Sequence, residues 1–203
     1  DLLEKCDCII SDSVLTDYKL QALFYSIDFF VSSEKYKQKD SLMNIIDLVI
    51  SGNPNIDAWA KYAFWHYKIK YEVDAKKALE IAKKTEQVIL QDSSAVGFYK
   101  NLAQLNGFKS DNYLKSNNYS LAKSSLWSAY AYAKQADKLY ATLYGKSWGY
   151  SNSILVKLLS LPEALHDTKL VERCLEELVH SKADYYNDIR QHNIILSFFE
   201  MEE

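Results

Sequence analysis

The side chains of this 203-residue chain best suited to ligating a metal or acting as nucleophile and base are four histidines and three cysteines. His66, His166, His180 and His192 are scattered along the sequence. His66 and His192 fall on apolar faces, where a hydrogen-bonded core histidine is a commoner outcome than a ligand. Cys6-x-Cys8 lacks a second Cys or His pair at zinc spacing, and Cys174 stands alone, so all three are expected as unpaired thiols and no metal is expected. Glu172, Glu176 and Glu177 resemble one helix of a carboxylate metal site, but no Glu-x-x-His partner accompanies them, and they are expected on a solvated face. There is no glycine-rich phosphate loop, no His-Glu-x-x-His helix and no nucleophile elbow. The chain is therefore expected to be no enzyme and to carry no cofactor.

Two polar features remain. Asn118-Tyr119-Ser120 satisfies the glycosylation sequon, although it sits at a predicted helix start. Tyr130, Tyr132, Tyr140, Tyr144 and Tyr150 form a tyrosine-rich stretch. Tyrosine packs its ring while its hydroxyl reaches the edge, and it is enriched at interfaces. Half of these tyrosines share an apolar helix face, so core packing is the favoured role.

The elements that position these residues are helices. Hydrophobic residues make up 48% of the chain and aromatics 14%, whereas Gly 5 and Pro 2 are too few for the many tight turns of a β-sandwich or barrel. Apolar spacing of three and four predicts helices over 15–31, 35–51, 56–71, from Asp74 to about 91, to about Asn106, over 119–144, to about Leu159, from Pro162 to about 181, and over 183–199. Gly52-Asn53-Pro54 reads as a left-handed cap followed by a stop, and Asp74 as an N-cap. Residues 107–118 read as one long polar connection, a possible sub-boundary in an otherwise single domain spanning 1–203. In the longest helix, Tyr119, Ala122, Leu126, Ala129, Ala133, Ala136, Tyr140 and Leu143 form a ladder whose small rungs let a neighbouring helix come close.

Residues 57–82 resemble one tetratricopeptide repeat. Trp59, Ala63 and His66 occupy the large, small and aromatic places of its first helix, and Ala75, Leu79 and Ala82 those of its second. Asn118-Tyr119-x-x-Ala122 with Leu126 and Ala129 looks like a second such helix. Ala75 and Ala122 are 47 residues apart, so the usual period of about 34 is not kept. The resemblance implies an all-α fold of antiparallel helical hairpins stacked as an irregular, right-handed tetratricopeptide-like array of about nine helices. It also implies a concave groove lined by Asp57, Ala60, Phe64, Tyr67 and Lys68. Ala60 and Phe64 stand where the carboxylate-clamp version wants Lys and Asn, so capture of chaperone C-termini is not expected. Peptide-sensing bacterial regulators would look similar at this level.

Charge bears on the partner. Residues 1–60 carry 5 basic and 10 acidic side chains, residues 61–146 carry 14 and 7, and residues 147–203 carry 5 and 10. The balance runs −5, +7, −5, which either solvates helix faces or attracts an acidic partner to the centre. Nucleic acid is not expected, because the bases are nearly all Lys and only Arg173 and Arg190 offer a bidentate fork. No apolar run reaches the roughly 20 residues of a membrane span. Free thiols favour a cytoplasmic setting, while a start at Asp1 without Met leaves room for a removed targeting segment. The leading expectation is a scaffold or adaptor that binds a peptide or partner helix. A ligand- or peptide-sensing regulatory domain and a helical enzyme with an unrecognised site are the alternatives. Partner identity and oligomeric state have no signal in the sequence.

Overall fold

The computed structural model describes residues 5–6, 17–52, 56, 58–91, 97–162 and 164–180. Among them are eight α-helices and no strand: α1 (Asp17–Ser32), α2 (Tyr36–Gly52), α3 (Ala58–Tyr71), α4 (Ala75–Gln91), α5 (Gly97–Lys115), α6 (Tyr119–Tyr144), α7 (Tyr150–Leu159) and α8 (Thr168–His180). A single 3-10 turn, Ala164–His166, precedes α8. The chain divides into two compact units, Asp1–Glu72 and Val73–Glu203. The division falls inside the repeat-like segment 57–82, with its first helix in unit 1 and its second in unit 2. The side chain of Trp59 and the helix expected over 183–199 lie outside the described residues, so the expected nine-helix count is not reached among them.

In unit 1 the expected periodicity holds. Leu20, Leu23, Phe24, Ile27 and Phe30 of α1, Leu42, Ile46 and Ile50 of α2, and Ala60 and Phe64 of α3 form one core with Ile56 and Cys6. α1 ends in a Schellman motif: Glu34 adopts φ 57, Lys35 N–H bonds Phe30 O at 2.7 Å and Glu34 N–H bonds Val31 O at 3.1 Å. No glycine is needed there. Gly52, expected as a left-handed cap, is instead the last residue of α2, and its φ is not positive.

Unit 2 is organised by α5, which packs on α4 and, most extensively, on α6. The predicted connection over 107–118 is corrected here: α5 continues to Lys115, and only Ser116 to Asn118 link it to α6. Burial wins over the polar composition. Leu102, Ala103, Leu105, Asn106, Gly107, Ser110 and Asn112 are all buried on this helix. The Asn106 and Asn112 amides donate back to the carbonyls of Leu102 (2.8 Å) and Phe108 (2.9 Å), which satisfies them without leaving the helix. Asn117, at φ 55, ends α5 in a second Schellman motif, with Asn118 N–H on Tyr113 O at 2.8 Å. Asn118 then caps α6 by accepting from Leu121 N–H at 3.2 Å, so the sequon asparagine has a structural role. Asp74 caps α4 as expected, accepting from Lys76 and Lys77 N–H at 2.9 and 3.2 Å.

On α6 the rungs Ala122, Leu126, Ala129, Ala133 and Ala136 are buried, whereas Leu143 and Tyr144 at its end are exposed. Gly145, at φ 69, closes the helix. Asp137 spans the following turn, accepting from Gly149 N–H at 2.6 Å and from the Ser151 hydroxyl. Pro162 does not open a helix as predicted; it lies in a turn, and α8 starts after Asp167, which accepts from Leu170 N–H at 3.0 Å. Leu126, Ala129, Tyr130, Ile154, Leu155, Leu158, Leu170, Cys174 and Leu178 unite α6, α7 and α8 in a second core.

Two substitutions probe this packing. Ala133→Leu places three extra carbons at a fully buried rung and is expected to cost about 1–3 kcal/mol in denaturant unfolding. Gly107→Ala would normally gain up to about 1 kcal/mol by helix propensity. Here the added Cβ would stand 2.9 Å from the Tyr150 hydroxyl, and the Tyr150 ring is stacked on Trp148 at 4.6 Å. Gly107→Ala should therefore destabilise the wild type, yet be neutral or stabilising in a Tyr150→Phe background, where the clashing oxygen is gone. A double-mutant cycle by urea unfolding reads the difference.

Candidate functional site

The face expected to line a groove on α3 is turned inward. Ala60 and Phe64 are fully buried in the core of unit 1, where they are not open to a partner. Tyr67 and Lys68 are half-buried and engaged: the Tyr67 hydroxyl donates to Asp28 Oδ2 at 2.8 Å, and Lys68 Nζ reaches Asp47 Oδ2 at 2.9 Å. Lys68 also lies 5.4 Å from the centre of the Phe64 ring. Asp57 lies outside the described residues. The spacing that suggested a groove is real, but α1 and α2 cover it.

Asp28 is the hub of this brace. It accepts from the hydroxyls of Tyr67 and Tyr71 and from Lys70 Nζ at 3.1 Å, tying α3 to α1. Burial alone would raise its pKa, but the hydrogen bonds from Tyr71, Tyr67 and Lys70 together outweigh it and hold the carboxyl below its ordinary value. Burial, reinforced by the bond to Asp28, keeps both tyrosines protonated.

The open site is in unit 2, between α6 and α8. Trp127, Tyr130, Ala131, Lys134 and Gln135 recur on one face of α6, and Arg173 and Glu177 stand one turn apart on α8. Together they line a cleft of about 420 Å³. The register of α8 sets it up: Leu170, Cys174 and Leu178 point into the core, which leaves 173 and 177 at the rim. Trp127 and Tyr130 meet edge to face, with centroids 5.7 Å apart and planes at 78°. The Arg173 guanidinium carbon lies 4.1 Å from the centre of the Trp127 ring. Lys134 Nζ is 5.4 Å from the Tyr130 ring and 3.0 Å from Glu177 Oε2.

Glu177 is thus doubly held. The Tyr130 hydroxyl donates to it and Lys134 pairs with it, which together keep its carboxyl below the ordinary range. Burial, followed by the bond to Glu177, drives the Tyr130 phenol upward. Beneath them burial pushes the Cys174 thiol up to about 12, so it is an inert thiol at neutral pH. Arg173, by contrast, is exposed and lies within ion-pair distance of no acid among the described residues; it rests over the Trp127 ring and acts on Glu177 only through space.

The sequence marks Tyr130 as part of a tyrosine cluster, Arg173 only as one of two arginines too few for nucleic acid, and Glu177 as part of a solvated face. The available signal was a second stripe on α6, at 127, 130, 131 and 134, beside the ladder at 126, 129, 133 and 136. Among the described residues no group of three or more His, Cys, Asp or Glu side chains could hold a metal, and no helix is long and apolar enough to cross a membrane. No protein family matches the chain, and no curated protein or solved structure matches it.

The Asp28 brace has a defined pH signature. Its folded-state pKa is lowered from 3.8, so its contribution to stability is complete above that value and is lost as pH falls through the folded pKa. Asp28→Asn should destabilise unit 1 at neutral pH, and its deficit relative to wild type should shrink below pH 3.8, as measured by urea unfolding across an acid series.

Proposed function

We propose that this chain is a non-enzymatic helical interaction module, built from tetratricopeptide-like hairpins, that binds a protein partner through the cleft between α6 and α8. The supporting observation is the pairing of a half-buried aromatic ring with an exposed guanidinium that lies within ion-pair distance of no acid among the described residues. Aromatic and Arg side chains of this kind are the anchors that dominate interface energetics, whereas scattered lysines contribute little. The short antiparallel hairpin of α5 and α6, closed through small residues, is the kind of unit from which helical-repeat surfaces are built.

The electrostatics of the cleft argue against acid–base chemistry there. A general acid or base works best with a pKa near the operating pH. Tyr130 and Cys174 are driven up and Glu177 down, so all three move away from neutrality. The cleft is also open at its rim, where Lys134, Gln135 and Arg173 are exposed, which suits a polypeptide better than a sequestered small ligand.

Proximity labelling with the full-length protein, comparing wild type with Arg173→Glu and Trp127→Ala, tests this function. Both variants should keep the helical circular dichroism of the wild type and lose a common set of partners. Retention of every partner by both would exclude the cleft as the binding surface.

A further inference from the structure

We propose that the cleft between α6 and α8 recognises a carboxylate side chain of an acidic peptide segment, with Arg173 as the specificity-determining residue. This rests on the interaction reading above and adds the chemistry of the partner.

The charged groups of the cleft differ in what they have left to offer a ligand. Lys134 is committed to Glu177, and Glu177 to Lys134 and Tyr130, so neither is free to receive a ligand without breaking an existing bond. The guanidinium carbon of Arg173 lies 4.1 Å from the centre of the Trp127 ring, and the side chain is exposed. A cation–π contact takes up no hydrogen-bond acceptor, and a guanidinium has five N–H donors in a fork that matches a carboxylate with two parallel hydrogen bonds. The contact also restricts the side chain before any ligand arrives, which reduces the entropy lost on binding.

The charge inventory selects among anions. The lining residues themselves comprise two cations, Lys134 and Arg173, and one anion, Glu177. Glu172 and Glu176 flank Arg173 along α8. A doubly charged phosphate would meet more repulsion from these acids than a monoanionic carboxylate, while accepting no more hydrogen bonds from the fork. A cationic ligand is disfavoured in turn, because one face of Trp127 is already occupied by Arg173 and the Glu177 carboxylate is already satisfied. Beside the fork, Ala131 and the rings of Trp127 and Tyr130 give apolar surface for a neighbouring residue, and the exposed Gln135 amide can bond a peptide backbone. The preferred segment therefore sets a Glu or Asp next to an apolar side chain.

The test uses the full chain and three fluorescently labelled, terminally blocked peptides: Glu-Glu-Leu-Glu-Glu, its all-Gln counterpart and its all-Lys counterpart. Fluorescence anisotropy gives affinity, and the Trp127 indole N–H resonance, assigned with Trp127→Phe, reports the location. The acidic peptide should bind roughly tenfold or more tighter than the Gln peptide, the scale of a charge-assisted bidentate contact. It should shift the Trp127 resonance and weaken with salt. Arg173→Gln should remove that preference, and Arg173→Lys should restore only part of it. Arg173 is exposed, so both variants are expected to fold, and their circular dichroism checks this. Equal binding of the Glu and Gln peptides, with both lost in Trp127→Ala, would overturn carboxylate recognition while leaving an interaction cleft. Absence of any Trp127 shift with the acidic peptide, or an equal shift with inorganic phosphate, would also overturn it.

Discussion

The constraint on which unit 2 depends is the close approach of α5 and α6. Two helices meet at short interaxial distance only where the side chains between them are small. α6 buries Ala122, Ala129, Ala133 and Ala136 and α5 buries Ala103 and Ser110, while Gly107 of α5 lets Tyr150 and Ile154 of α7 come close. Because α6 commits that stripe inward, its neighbouring stripe at 127, 130, 131 and 134 falls at the boundary between core and solvent. α8 then closes one side of that stripe with an apolar face of its own. The cleft is thus a consequence of two helical registers meeting, and it is carried by backbone elements more than by loops.

A second regularity is that the three charge blocks of the sequence find one another in the fold. Lys68 and Lys70, from the basic central stretch, pair with Asp47 and Asp28 of the acidic first block. Lys123 and Lys134 pair with Asp167 and Glu177 of the acidic last block. Much of the central excess is therefore spent inside each unit as cross-helix pairing. Each pair is partly solvated and modest in energy, so its main effect is on which helices sit beside which. The exception is Arg173, which stands amid acids and yet rests on an indole.

The helices of unit 1 and the ladder of α6 were legible in the sequence because their apolar spacing is regular and their burial follows it. Phe64 was legible as a large apolar residue on a helix, but not as core: the face it shares with Ala60 fits a groove and a packed interface equally well, and only the position of α1 and α2 decides. The tail of α5 was misread for a different reason. Lys109, Ser110, Asp111 and Asn112 look like a loop, yet Lys109 pairs with Glu86 of α4 and Asp111 with Lys157 of α7, while Ser110 and Asn112 are buried. Local composition cannot report that a helix has neighbours on several sides. Pro162 failed similarly, since Asp167 five residues later offers a better cap.

The cleft residues were hidden by the same ambiguity at the level of single side chains. Glu172, Glu176 and Glu177 look alike in sequence, but only Glu177 falls within reach of both Tyr130 and Lys134, because α8 turns about 100° per residue and presents that position to α6. Glu177 is hydrogen-bonded by Tyr130 and Lys134, and Arg173 one turn away acts on it only through space. The guanidinium lies over the Trp127 ring, whose quadrupole attracts the positive charge. An acid held by two hydrogen bonds beside an exposed guanidinium over an indole is what gives this cleft its asymmetry: the donors at its rim stand next to an apolar floor.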